Sequence, residues 1–200
     1  MTTDTLPAGS AKNRCASLPR RRLLGAALAA GIAAPLGSLA DSTDPSKTAA
    51  AAGDVLAFAS WEDEPRAVTV ADVELNAAPL VVYPQDPVSG VTRENSRLNQ
   101  ILVLRLDPAT LDDTTRARAI DGIVAYSAIC THAACAVSEW QAATRHLVCP
   151  CHSSAYDPAK AAARVTGPTV RPLPALPLKR VGDQIVIAGP FSAALGAPPT

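Results

Sequence analysis

The sequence predicts a mostly β protein, a small antiparallel sheet fold of short strands and many loops, preceded by an N-terminal targeting segment. Three observations carry this. Short β-type runs recur: "VLAFA" from 55, "AVTV" from 67, "PLVVY" from 79, "ILVLRL" from 101, "IVAYSAI" from 123 and "RHLV" from 145. Turn signals such as Asp107-Pro108, Asp121-Gly122 and Gly167-Pro168 separate several of these runs. No long stretch keeps a helical period, and 18 prolines stand against 11 glycines.

Residues 1–40 read as a twin-arginine export signal or a membrane anchor. Arg20, Arg21 and Arg22 form a basic patch, an apolar run follows from Leu23 to Ala34, and Ser38-Leu39-Ala40 has the small residues of a cleavage site. Arg20 and Arg21 followed by Leu23 and Leu24 resemble the twin-arginine motif. Pro19 and Leu23 depart from its preferred residues, and an ordinary secretory signal is the alternative. Leu23 to Ala40 carries no charge and reaches the lower edge of spanning length, so cleavage and retention both stay open. Either fate places the folded part in the bacterial periplasm, free or tethered to the inner membrane, where disulfides form. Residues 41–54, small and polar with an alanine run, read as a linker.

Residues 55–200 form the domain. Of the chain's 200 residues 48% are apolar, enough for a core, although much of that fraction is alanine and only seven residues are aromatic. The net charge is zero, but residues 1–40 hold five basic residues and one acid, so the remainder carries a net −4. A mildly acidic body argues against nucleic acid as a partner. "TLDDTTRARA" can supply one short helix, and "ALPLKR" and "QIVIAG" flank Val181-Gly182-Asp183 as a hairpin.

Two cysteine-rich stretches, "AICTHAACAV" and "LVCPCHSSAY", each follow a strand run, which puts their side chains on loops at strand ends. They supply Cys130, His132, Cys135, Cys149, Cys151 and His152. A tetrahedral zinc site needs four ligands, and Cys130-x-His132 with Cys149-x-x-His152 offers Cys2His2. The same four residues can instead hold a 2Fe–2S cluster, two cysteines on one iron and two histidines on the other. Zinc would make the domain a non-redox structural module; the cluster would make it an electron carrier.

"CTHAAC" and "CPCHSS" resemble the two halves of the Rieske iron–sulfur motif, over about residues 121–173 with the closing hairpin more loosely. The resemblance implies a Rieske fold with one 2Fe–2S cluster on Cys130, His132, Cys149 and His152, and a disulfide between Cys135 and Cys151. It also implies cluster-directed hydroxyls at Ser154 and Tyr156, and a cluster-covering loop at Gly167 and Pro168 within "GPTVRPLP". With two neutral imidazoles the oxidised cluster is uncharged, so adding an electron costs less Coulomb work than with four thiolates. The known potentials of such centres, reaching about +300 mV against about −400 mV for plant-type clusters, follow that order. Reduction makes the bound imidazoles more basic, so electron and proton can arrive together at His132 or His152. Three residues depart from the common pattern: Ala133 stands for a leucine, Ala134 and Ser153 for glycines.

The function so implied is one-electron transfer, as the iron–sulfur subunit of a respiratory oxidoreductase complex rather than a stand-alone enzyme. The first assignment is a quinol–cytochrome c reductase-like complex with cytochrome b and cytochrome c-type partners, favoured by Ser154, Tyr156 and the second cysteine pair. The second is the small subunit of an arsenite-oxidase-like molybdenum enzyme with a large molybdopterin subunit, to which Ala133 is better suited because a quinol pocket loses bulk there.

Overall fold

The computed structural model describes residues 44–61 and 66–198. Arg20, Arg21 and the whole 1–40 signal or anchor lie outside the described residues.

Among the described residues, eleven strands form two antiparallel sheets. The larger is built from β1 (Val55–Ala57), β2 (Leu80–Gln85), β3 (Ile101–Arg105), β4 (Ile123–Ser127), β9 (Ala175–Leu176), β10 (Leu178–Val181) and β11 (Gln184–Ile187), in the order β10-β11-β1-β2-β3-β4-β9. The smaller contains β5 (Glu139–Gln141), β6 (His146–Cys149), β7 (Ser154–Asp157) and β8 (Ala163–Thr166), in chain order.

The run "ILVLRL" lacks alternation because its strand is covered on both sides. Successive side chains of a strand point to opposite faces. Ile101 and Val103 of β3, with Ile123 and Ala125 of β4, join one core with Leu56, Val82 and Ile185. Leu102 and Leu104, with Val124 and Tyr126, face the other way into a second core with Leu147, Cys149, Tyr156 and Cys130. This second core lies between the sheets, and two of the motif cysteines belong to it. The buried Tyr126 hydroxyl, 2.7 Å from the Pro158 carbonyl to which it donates, ties the large sheet to the end of β7. Burial pushes the Tyr126 phenol far up, so it stays protonated as that donor.

Residues 44–54, within the stretch read as a linker, lie against the body. Arg93 Nε donates to Asp54 at 2.8 Å with both groups nearly buried, and Arg93 also meets Thr48 Oγ1. Asn99 Nδ2 donates to the Thr48 carbonyl at 2.7 Å. The "AVTV" run does not become a strand. Ala67 and Thr69 make single bridges, to Ala57 and Gln184, and the chain then turns into a 3-10 helix at Val70–Asp72. That turn wins because the Asp72 carboxylate accepts from the Thr69 N–H at 2.8 Å, the capping arrangement for a helix start. "TLDDTTRARA" yields one turn, α1 (Asp113–Arg116), capped by Asp112 accepting from Thr115 N–H at 2.7 Å.

Candidate metal centre

After β4 the chain enters the loop Cys130–Cys135. Cys130 N–H donates to the Cys135 carbonyl at 2.8 Å, and Ala134 N–H to the Cys130 carbonyl at 3.0 Å. Such a tight return needs a left-handed residue, and Ala134 takes it at φ 55°. Arg97 donates to the Ala134 carbonyl at 2.7 Å and holds the loop to the body. The second loop starts at Cys149, the last residue of β6, and returns through Ser153 at φ 54° into β7.

The two loops come together. Cys130 and Cys149 are each 1% exposed and both belong to the core between the sheets. His132 is half-buried and His152 exposed, with their Nδ1 atoms 3.3 Å apart and the rings edge-on. The donor set is therefore layered, sulfur inside and nitrogen outside. Cys135 and Cys151 are joined by a disulfide, with Cα atoms 6.6 Å apart, which pins loop to loop. The sulfurs of Cys135, Cys149 and Cys151 all lie within 4.8 Å of one another, but the disulfide occupies two of them, so this trio is not itself a ligand set.

Burial pushes both free thiols up. At Cys130 this is outweighed by the Tyr156 hydroxyl and the N–H groups of His132 and Ala133, so its thiol sits below the usual range. At Cys149 burial and the neighbouring Cys130 thiol prevail over the N–H groups of Cys151 and His152, and its thiol sits above.

Tyr156, fully buried on β7, places its hydroxyl 3.2 Å from Cys130 Sγ. Ser154, on the same strand, has a buried hydroxyl without a protein partner among the described residues. Gly167 presses on Ser154. A Cβ there would lie 2.4 Å from Ser154 Cα and 2.8 Å from its Oγ, and its φ is +91°. Pro168 follows at the exposed rim of this loop.

These features test which group fits. Two thiols and two imidazoles suit either a zinc ion or a diiron cluster. A buried hydroxyl with no partner asks for an acceptor beyond the four ligand atoms. A cluster brings bridging sulfides as such acceptors, and a single zinc ion does not.

Sequence reasoning did not find Arg97 or three other residues. Thr131 Oγ1 lies 3.3 Å from the Tyr156 hydroxyl, 2.6 Å from Thr169 Oγ1 and 2.8 Å from the Arg171 carbonyl. The Arg171 guanidinium in turn donates to the carbonyls of Ala194, at 3.4 Å, and Gly196, at 2.7 Å, holding the C-terminal segment. Thr131, Thr169 and Arg171 lie inside the quoted stretches "CTHAAC" and "GPTVRPLP", but their roles were not read there, because their partners are 23 to 40 residues away in sequence.

The family model described as Rieske [2Fe-2S] domain matches residues 60–177. The cytochrome bc1 complex Rieske iron-sulfur subunit of Streptomyces lividans is 40% identical over 77 residues, 38% of this chain and 45% of that protein. The putative respiratory nitrate reductase subunit Rieske of Haloferax mediterranei is 36% identical over 118 residues, 58% of this chain and 50% of that one. The chain thus spans half or less of the length of these curated relatives. Among solved structures, the ferredoxin of carbazole 1,9a-dioxygenase from Nocardioides aromaticivorans superposes with a TM-score of 0.41 at 19% identity, covering 62% of this chain and 94% of the other.

Proposed function

Because the chain belongs to the Rieske [2Fe-2S] domain family, we propose that it carries single electrons within a respiratory oxidoreductase complex, with one cluster held by Cys130, Cys149, His132 and His152. The observation that carries this reading is the layered donor set, two buried thiols behind two outward imidazoles whose Nδ1 atoms face each other at 3.3 Å.

When bound, the cluster supplies a one-electron couple of raised potential. The chain's own residues do the rest. The Cys130 and Cys149 thiols are buried, which keeps water from the sulfur side. Tyr156 donates toward Cys130 Sγ, and Ser154, the cross-strand partner of Cys149, keeps a buried hydroxyl without a protein partner among the described residues. Hydrogen bonds to sulfur strengthen as the sulfur gains charge, so both side chains favour the reduced form. With Nδ1 turned inward, Nε2 of each imidazole is the atom at which this chain can hold or pass a proton to a docked partner. Ala133 and Pro150, next to His132 and Cys149 in the two loops, are exposed apolar residues open to such a partner.

The first assignment is the iron–sulfur subunit of a quinol–cytochrome c reductase-like complex, with cytochrome b and cytochrome c-type partners. It is supported by the Streptomyces relative and by the Tyr156 and Ser154 hydroxyls. The second is the electron-transfer subunit of a respiratory reductase like the one the Haloferax relative is named for, supported by that longer match and by the small Ala133. In both, the Arg20-Arg21 segment delivers the domain to the periplasm. No helix among the described residues is long and apolar enough to cross a membrane.

The test is purification of the matured protein without oxygen, followed by metal analysis and EPR of the reduced form. Two irons and two labile sulfides per chain, with the rhombic signal of a mixed sulfur–nitrogen cluster, are expected. A colourless protein with one zinc sinks the reading. Co-purification with a b-type cytochrome, as against a large molybdopterin subunit, separates the two assignments.

A further inference from the structure

The hydroxyls behind Cys130 hold fewer protons than contacts, and counting them fixes a direction. Tyr156, Thr131 and Thr169 bring three protons. They meet in contacts of 3.2 Å (Tyr156 to Cys130 Sγ), 3.3 Å (Tyr156 to Thr131), 2.6 Å (Thr131 to Thr169), 2.8 Å (Thr131 to the Arg171 carbonyl) and 3.2 Å (Thr169 to the same carbonyl). A carbonyl only accepts. The 2.8 Å contact therefore takes the Thr131 proton. The 2.6 Å contact is too short to stand without a proton, and with the Thr131 proton spent, Thr169 must supply it. Tyr156 receives nothing from Thr131 and keeps its own proton to give. Two acceptors compete for it: Cys130 Sγ and the oxygen of Thr131.

We propose that Thr169 is a positioning residue for electron transfer: by donating to Thr131 it occupies that oxygen and leaves the Tyr156 hydroxyl aimed at Cys130 sulfur. An oxygen already accepting one hydrogen bond is a poorer acceptor for a second. Thr169 is 1% exposed, so no water stands in for its hydroxyl. It sits on the segment after Gly167 and Pro168, so the same loop that presses on Ser154 also orders Tyr156.

The inference rests on the cluster reading. The experiment uses the full chain with its cluster and measures the midpoint potential of Thr169→Val, Thr169→Ala and Thr169→Ser, each also in a Tyr156→Phe background. Two hydroxyl-free variants are used so that a packing defect in one leaves the other to report. In the native background the Val and Ala variants lower the potential by about a threefold change in the one-electron equilibrium constant, about 28 mV at 59 mV per tenfold. Thr169→Ser restores the native value. With Phe at 156 the same changes leave the potential where Tyr156→Phe alone puts it. An equal shift in both backgrounds means that the loop acts by packing alone and overturns the proposal, as does no shift in either. Both results leave an iron–sulfur protein in hand, whereas absence of iron and sulfide refutes the cluster reading itself.

Discussion

Ala134 and Ser153 stand where the cluster loops of the family commonly have glycine, and both adopt left-handed backbone, at φ 55° and 54°. L-residues pay about 1 kcal/mol or more for that region, and glycine does not. Part of the gain from glycine is returned as unfolded-state entropy. Ala134→Gly and Ser153→Gly should therefore each stabilise the protein by about 0.5 kcal/mol, read as a rise of about 1–2 °C in Tm for a domain of this size. A fall in Tm at both sites would mean that the β-carbons make compensating contacts. Tyr156→Phe removes a donor to Cys130 sulfur while keeping the ring that fills the core. It should lower the midpoint potential by tens of millivolts with iron and sulfide content unchanged; voltammetry at constant pH decides this. Cys130, His132, Cys149 and His152, the four residues proposed as ligands, stood out in the sequence because thiols and imidazoles at fixed spacing have few other uses. The Thr131–Thr169 pairing did not, because a threonine inside "CTHAAC" and one in "GPTVRPLP" show their role only when the segment 38 residues on folds back.

The strands were legible in proportion to their burial. β3 and β4 are buried almost throughout and announced themselves as apolar runs. β5 (Glu-Trp-Gln) and β8 (Ala-Arg-Val-Thr) are mostly exposed, and their polar or alanine-rich composition hid them. β7 was missed for another reason: its Ser154-Ala155-Tyr156-Asp157 reads as the tail of a loop motif, yet it pairs with β6 from Cys149↔Ser154 to Leu147↔Tyr156. That pairing carries Tyr156 under Cys130. The two cluster loops project from different sheets, so their mutual position depends on the core between the sheets and on the Cys135–Cys151 link. With its ends 16 positions apart in sequence, the link should contribute about 3 kcal/mol by restricting the unfolded chain. The double variant Cys135→Ser, Cys151→Ser should lose about that much in guanidinium unfolding. An unchanged midpoint would show that the bound cluster alone holds the loops.

Across the whole body, the central strands β3 and β4 of the large sheet are buried on both faces, and polar pairs sit away from them. Arg66 grips Asp72 through two bonds of 2.8 and 2.7 Å and stacks over Phe58. The Arg66 guanidinium, joined by the Thr69 N–H and hydroxyl, outweighs partial burial and holds the Asp72 carboxyl well below the usual carboxylate range. A depressed folded pKa stabilises above the unfolded value, near 3.8, and the contribution disappears as pH falls below it toward the folded value. The native protein should thus be more stable than Asp72→Asn above about pH 4, and the gap should narrow steadily below it. Urea melts at pH 7, 4 and 3 measure the gap; one that widens in acid contradicts the assignment.

The closeness of Cys149 to the Cys135–Cys151 bridge has a consequence for how the protein matures. A free sulfur within 4.8 Å of a disulfide is placed to attack it and exchange partners. Under the proposed ligation, iron at Cys149 would remove that nucleophile. Assembly in the order iron first, oxidation second gives one pairing. The reverse order admits shuffled isomers in which Cys149 is consumed and no place for iron remains.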